Sequence, residues 1–165
     1  MGATAVIHAT ATDRAAALTL IDDAAVMTLA VTLTKGPWTA PVYYVYHRAD
    51  TGFYFLSSPQ SRHITAGLDT AACGAAVFNA ANRWQEICGL QMRGTLTRAS
   101  EIKGLRALAL YMKKFPFSRD LLPAGKVSLE TLRDRLGVRL YRFRPSHLEW
   151  TDNRVHFGYR CRLTL

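Results

Sequence analysis

The sequence holds no C-x-x-C pair, no histidines at metal-ligand spacing, no Ser-His-Asp arrangement and no paired carboxylates. The three cysteines, Cys73, Cys88 and Cys161, are scattered and odd in number, which excludes a disulfide framework and a zinc ribbon. Buried, reduced thiols in a cytoplasmic protein are the expectation. The five histidines show no H-x-x-x-H pattern, so no metal site is expected. No apolar run reaches the ~18 residues a membrane helix needs. The N-terminus lacks a basic region followed by an apolar stretch and a cleavage site, so a secretory signal is not expected. Val6 stands where a myristoylation motif wants Ser or Thr. Repeats, low-complexity tracts and linkers are also missing.

What remains describes one ordinary domain. A chain of 165 residues, 49% hydrophobic with mean hydropathy near zero, fits a single unit spanning 1–165. Its size lets it bury a sizeable core without staples. The net charge of +9 raises the question of an anionic partner. Much of the excess lies in Arg133, Arg135, Arg139, Arg142 and Arg144. Nucleic acid would be bound through such charge, but no helix-turn-helix cadence, zinc finger or aromatic ribonucleoprotein motif supports it. Anionic small ligands or plain solubility explain the charge equally well.

Periodicity predicts a helix over 13–22, capped by Thr12 or Asp13 with Ala16, Leu20 and Ile21 on its apolar side, and a barrel over about 25–165. Strands are predicted over 26–32, 39–46, 53–57, 72–78 and 90–98. In the second, the run Val42, Tyr43, Tyr44, Val45 implies cover on both faces. In the fifth, Leu90, Met92, Gly94 and Leu96 alternate with Gln91, Arg93, Thr95 and Thr97, the clearest period of two in the chain. Helices are predicted over 62–68, from Ser100 through Ile102, Leu105, Leu108 and Met112, and over 128–136 with Gly137 closing it. Strands over 138–144, 146–151 and 155–165 complete the set. Mostly antiparallel strands with a few short helices make the fold class mainly β (α+β), a small barrel.

The segment 53–63, Phe-Tyr-Phe-Leu-Ser-Ser-Pro-Gln-Ser-Arg-His, carries the most chemistry. Hydroxyls, an arginine and helix N–H groups converge on one small volume, which suits a phosphate. Equally, Ser61 could only cap a helix and Arg62 could be a solvated charge.

Taken in order, residues 38–45, 53–58, 61–63, 89–94 and 152–160 resemble the flavin-binding split-barrel proteins related to pyridoxamine 5'-phosphate oxidase, in a small bacterial branch. The resemblance covers about 20–162 and implies a split β-barrel forming a homodimer, with flavin mononucleotide (FMN) in a cleft between two barrels. It places Pro41, Val42, Tyr43 and Tyr44 beside the flavin ring, Ser57 and Ser58 at the phosphate or ribityl chain, and Arg62 at the phosphate. Gln91 reaches the flavin from the barrel wall. His63 stands where many relatives have lysine, which implies weaker and more pH-sensitive phosphate binding. The implied activity is a flavin-dependent oxidoreductase on a small substrate. A non-catalytic module for flavin, haem or deazaflavin is the alternative. Arg160 is a distant analogue of the substrate-gripping residues of the oxidase, but no matching set is present, so pyridoxamine phosphate oxidation is not implied.

Overall fold

A capping box opens the chain's first helix. The Thr10 hydroxyl accepts the Asp13 N–H at 3.1 Å, and the Asp13 carboxylate accepts the Thr10 N–H at 2.8 Å, satisfying two otherwise unpaired donors. Helix α1 therefore runs Ala11–Asp23, beginning two residues before the predicted start, with Asp13 acting from inside the first turn. The computed structural model describes residues 7–70, 73–119 and 128–165. The Ala72 start predicted for the fourth strand, and Val6, lie outside the described residues.

Seven strands follow: β1 (Val26–Leu33), β2 (Gly36–His47), β3 (Gly52–Ser57), β4 (Cys73–Phe78), β5 (Cys88–Arg98), β6 (Arg139–Asp152) and β7 (Arg160–Arg162). Between them lie α2 (Arg62–Gly67), α3 (Glu101–Lys114) and α4 (Leu129–Leu136). The strands pair antiparallel in the order β3-β2-β1-β4-β5-β6-β7, and β3 also pairs with β6. That extra pairing closes six strands into a barrel, with β7 appended to the outer half of β6. Closure removes most of the exposed sheet edge that an open sheet would carry. The fold is the mainly antiparallel α+β barrel that the periodicity predicts.

The barrel interior holds Met27, Leu29, Tyr44, Phe53, Phe55, Leu90, Phe143 and Trp150, all fully buried. Ala17 and Ile21 of α1 join this core at one end, where the Tyr44 hydroxyl donates to the Ile21 carbonyl at 2.8 Å. Helix α2 closes the other end. A Cβ on Gly67 would lie 2.7 Å from Val31 Cγ1 and 2.9 Å from Cys73 Sγ, so only glycine lets α2 sit so deep in the mouth. Outside the wall, α3 lays Ala107 and Tyr111 on Val45, Tyr54 and Leu140, while Leu108 and Met112 meet Leu132 of α4.

Three predictions need correction. Ile102 and Leu105, placed on the apolar side of α3, are 74% and 52% exposed; Gly104, Ala107, Leu108, Tyr111 and Met112 form the packed face instead. The cover predicted for both faces of β2 fails at Tyr43, which is 47% exposed with the edges of Phe115 and Phe117 against its ring. The strands predicted over 138–144 and 146–151 are one strand, β6, and only Arg160–Arg162 of the region 155–165 is strand. The break at Pro145 is a bulge: the β5–β6 register shifts between Arg93 and Gly94. That extra residue keeps Tyr141 and Phe143 before it, and Leu148 and Trp150 after it, in the same core.

At the α1 end, Asp50 in the turn between β2 and β3 gathers a polar cluster. It accepts from the Tyr54 hydroxyl at 2.7 Å, holds His47 Nδ1 at 2.8 Å and faces Arg142 Nε at 3.3 Å. Burial alone would raise its carboxyl pKa, but Tyr54, His47 and Arg142 outweigh that and hold it below 3.8.

Candidate functional site

The barrel is split where β2 and β3 separate. Their pairing ends at Tyr44–Phe55. Beyond it, β3 continues against β6 as far as Ser57–Arg139, whereas residues 36–43 of β2 continue against β1 alone. At this parting the two strands go separate ways, and α2 packs on β1 and β2. Eight of the nine residues predicted to hold a cofactor flank this parting. Pro41, Val42, Tyr43 and Tyr44 lie along β2; Ser57, Ser58, Arg62 and His63 lie on the β3–α2 side.

On the β3–α2 side, Ser57 is the hub. Its hydroxyl lies 3.1 Å from Ser61 Oγ and 2.9 Å from His63 Nε2. Ser61 precedes α2 as its N-cap, yet its side chain makes no capping bond and is turned to Ser57; the backbone carbonyl serves the helix, accepting from Ile64 and Thr65. The cap prediction thus holds for the main chain only. Burial keeps the His63 pKa below its usual 6.5, which favours the neutral ring that Ser57 engages. Ser58 turns outward to Gln60. The exposed Arg62 guanidinium lies 4.7 Å over the Trp38 ring of β2, a cation–π contact between α2 and β2. It has no carboxylate partner among the described residues.

Along β2, alternate side chains part company. Val42 and Tyr44 point into the core; Pro41 and Tyr43 lie on the outer face. Gln91 shares that outer face but stands elsewhere, in the cross-strand row Pro41–Thr28–Ala76–Gln91. Three inter-strand spacings put it about 14 Å from Pro41. It is exposed, and its side-chain carbonyl accepts from the Thr151 hydroxyl at 2.9 Å. Between β2 and β5 lie the half-buried Thr28, Ala30, Gly74 and Ala76.

Two residues at this end were not predicted. Arg139 pairs with Ser57 across β3–β6, and Arg98 pairs with Tyr141 across β5–β6. Both guanidiniums act on Tyr141: burial raises its hydroxyl pKa, and Arg139 and Arg98 oppose the rise. Arg98 keeps the parity of Leu96 on β5 but lies exposed at the strand's end. Arg139 carries no sequence signal, because its partner Ser57 is distant in sequence.

A family model described as pyridoxamine 5'-phosphate oxidase matches residues 13–146. A UPF0306 protein of Klebsiella pneumoniae (strain 342) is 27% identical over 133 residues, 81% of this chain and 80% of its own length. Among solved structures, a haem-binding protein from Mycobacterium smegmatis superposes with a TM-score of 0.70 at 15% identity, over 96% of this chain and 60% of that one. A FAD-binding protein from the same organism superposes with a TM-score of 0.58 at 13% identity, over 94% of this chain and 98% of that one. These likenesses share the split barrel seen here. With most of its length inside the matched region, the chain belongs to the pyridoxamine 5'-phosphate oxidase family.

Proposed function

We propose that the protein binds FMN in the cleft where β2 and β3 part, as a homodimer, and works as a flavin-dependent oxidoreductase on a small substrate. The observation that carries this reading is the Ser57–Ser61–His63 cluster where β3 leads into α2, with the Arg62 guanidinium of the same turn over the Trp38 ring of β2. Ser57, Ser58, Arg62 and His63 would hold the phosphate and the adjoining hydroxyl chain. The unpaired guanidinium supplies a fork for two phosphate oxygens, and the hydroxyls supply neutral donors. His63, kept neutral by burial, contributes a bond without a charge.

The main chain of β2 at 41–44 would border the ring, its position fixed by burial of the Val42 and Tyr44 side chains. Gln91, about 14 Å away across the sheet, fits as part of the wall that a second copy brings to the cleft. A bound flavin supplies the hydride chemistry; the chain's residues bind, orient and exclude water. That a Mycobacterium smegmatis neighbour binds FAD supports the choice of flavin; a haem-binding neighbour makes a non-catalytic haem module the competing reading, with a deazaflavin module a further variant. The reading takes the protein to be cytoplasmic.

An absorption spectrum of the purified protein tests it. Expected are flavin bands, release of FMN on heating, and bleaching by a nicotinamide reductant. A Soret band, or colourless protein that takes up no added FMN, overturns the proposal. Flavin colour that no reductant bleaches would remove the oxidoreductase part alone.

A further inference from the structure

A second cavity, outside the flavin cleft, lies where the end of β5, the start of α3, α4 and the start of β6 meet. It encloses about 500 Å³, within the ~300–1,000 Å³ usual for small-molecule sites. Three arginines from three elements line it: Arg98 of β5, Arg133 of α4 and Arg139 of β6. Arg98 and Arg139 make no hydrogen bond or ion pair among the described residues. Arg133 is held by its neighbour Asp134, at 2.6 Å from Nε, which fixes the head group without filling all five donors.

Two glutamates, Glu101 and Glu130, line the same cavity, yet neither forms an ion pair with these arginines. Glu130 acts on Arg133 through its charge without a contact ion pair, and Arg98 and Arg139 stand open to the same volume. The donor set therefore asks for a ligand with an anionic group for the arginine forks and hydroxyl donors for the carboxylates. Leu129 gives a short apolar wall for the body of the ligand.

We infer that this cavity binds a hydroxylated phosphomonoester of sugar-phosphate type, independently of the flavin cleft. No element of the argument depends on flavin binding; the cavity adjoins the Ser57 cluster through Arg139, the cross-strand partner of Ser57, but Arg62, Ser57 and His63 do not line it.

The test is a titration of the ¹⁵N-labelled full chain with glucose 6-phosphate, followed by amide shifts, with glucose and inorganic phosphate as controls. Saturable shifts are expected at Ser100, Glu101 and Arg133. Glucose 6-phosphate should bind at least about tenfold more tightly than either control, since each charge-assisted bond contributes on that scale. Arg98→Ala, and separately the exposed Arg133→Gln on α4, should each weaken binding by about tenfold or more with unchanged thermal melting. Arg62→Ala should leave it unaltered. Absence of saturable shifts at these amides, equal binding by the arginine variants, or loss of binding in Arg62→Ala would each overturn the inference.

Discussion

Replacing Arg62 by alanine separates what this side chain does for the fold from what it would do for a ligand. The side chain is exposed and makes one described contact, the 4.7 Å approach to the Trp38 ring. A cation–π contact at an exposed site contributes about 0.5–1 kcal/mol, so Arg62→Ala should lower stability by no more than that. Against a phosphate, each charge-assisted bond is worth about 1.5–3 kcal/mol, so losing even one should weaken FMN binding about 10–100-fold. Arg62→Lys should fall between, since it keeps the charge but loses the planar fork. The assay is quenching of flavin fluorescence on titration, run in parallel with FMN and with riboflavin, which lacks the phosphate. The variant should lose FMN affinity and keep riboflavin affinity. If both ligands weaken equally, Arg62 acts through cleft shape; if FMN affinity changes less than about twofold, the phosphate assignment is refuted.

Three further outcomes follow from the coordinates. Asp50→Asn should cost about 2–3 kcal/mol, less than the full penalty for breaking a buried ion pair because some water reaches the cluster, and lower Tm by about 5–10 °C. The Asp50 side chain is 11% exposed and its carboxyl is held below 3.8. Its contribution is present above pH 3.8 and lost as pH falls through the lower folded value, so the gap between wild type and variant should close on acidification; a gap constant down to pH 2 would contradict this. For His63 the sign is set by a folded pKa below 6.5: the unfolded ring takes up a proton first, so stability should decline as pH drops below 6.5. His63→Gln should flatten that decline in thermal melts, and an unchanged slope would count against it. Gly94→Ala would set a Cβ 2.1 Å from the Arg144 carbonyl oxygen and 2.8 Å from Pro145 Cα. Backbone must move, so urea unfolding should show a loss of about 1–3 kcal/mol, whereas a negligible loss would mean that the bulge yields easily.

Local pattern carried much of the fold. The period-two alternation of β5 matches its burial from Leu90 to Thr97, and Gly137 closes α4 in the left-handed conformation, at φ 62°. Failures came where distant neighbours decide. Ile102 and Leu105 have the right hydrophobicity for a core, but the face of α3 that meets the barrel is set by Ala107 and Tyr111, which pack on Val45, Tyr54 and Leu140. The two strands read around Pro145 are one because Gly94, on another strand, accepts the extra residue. The candidate site divides in the same way. Ser57, Ser61 and His63 are close in sequence and meet in space. Arg139 reaches Ser57 only through barrel closure, which no local window contains.

The split leaves one length of backbone without a strand beside it, and the sequence there blunts its stickiness. Tyr44 donates its N–H to Ala25 of the adjoining chain segment, so the even-numbered amides of β2 face β1 and the odd-numbered ones face the gap. Two of the four odd positions in residues 36–43, 37 and 41, are proline, which has no N–H to offer. A stray strand from another molecule would find few donors to zip onto. The barrel can therefore stay open for a guest without inviting fibrous self-association, and substituting both prolines should expose that hazard.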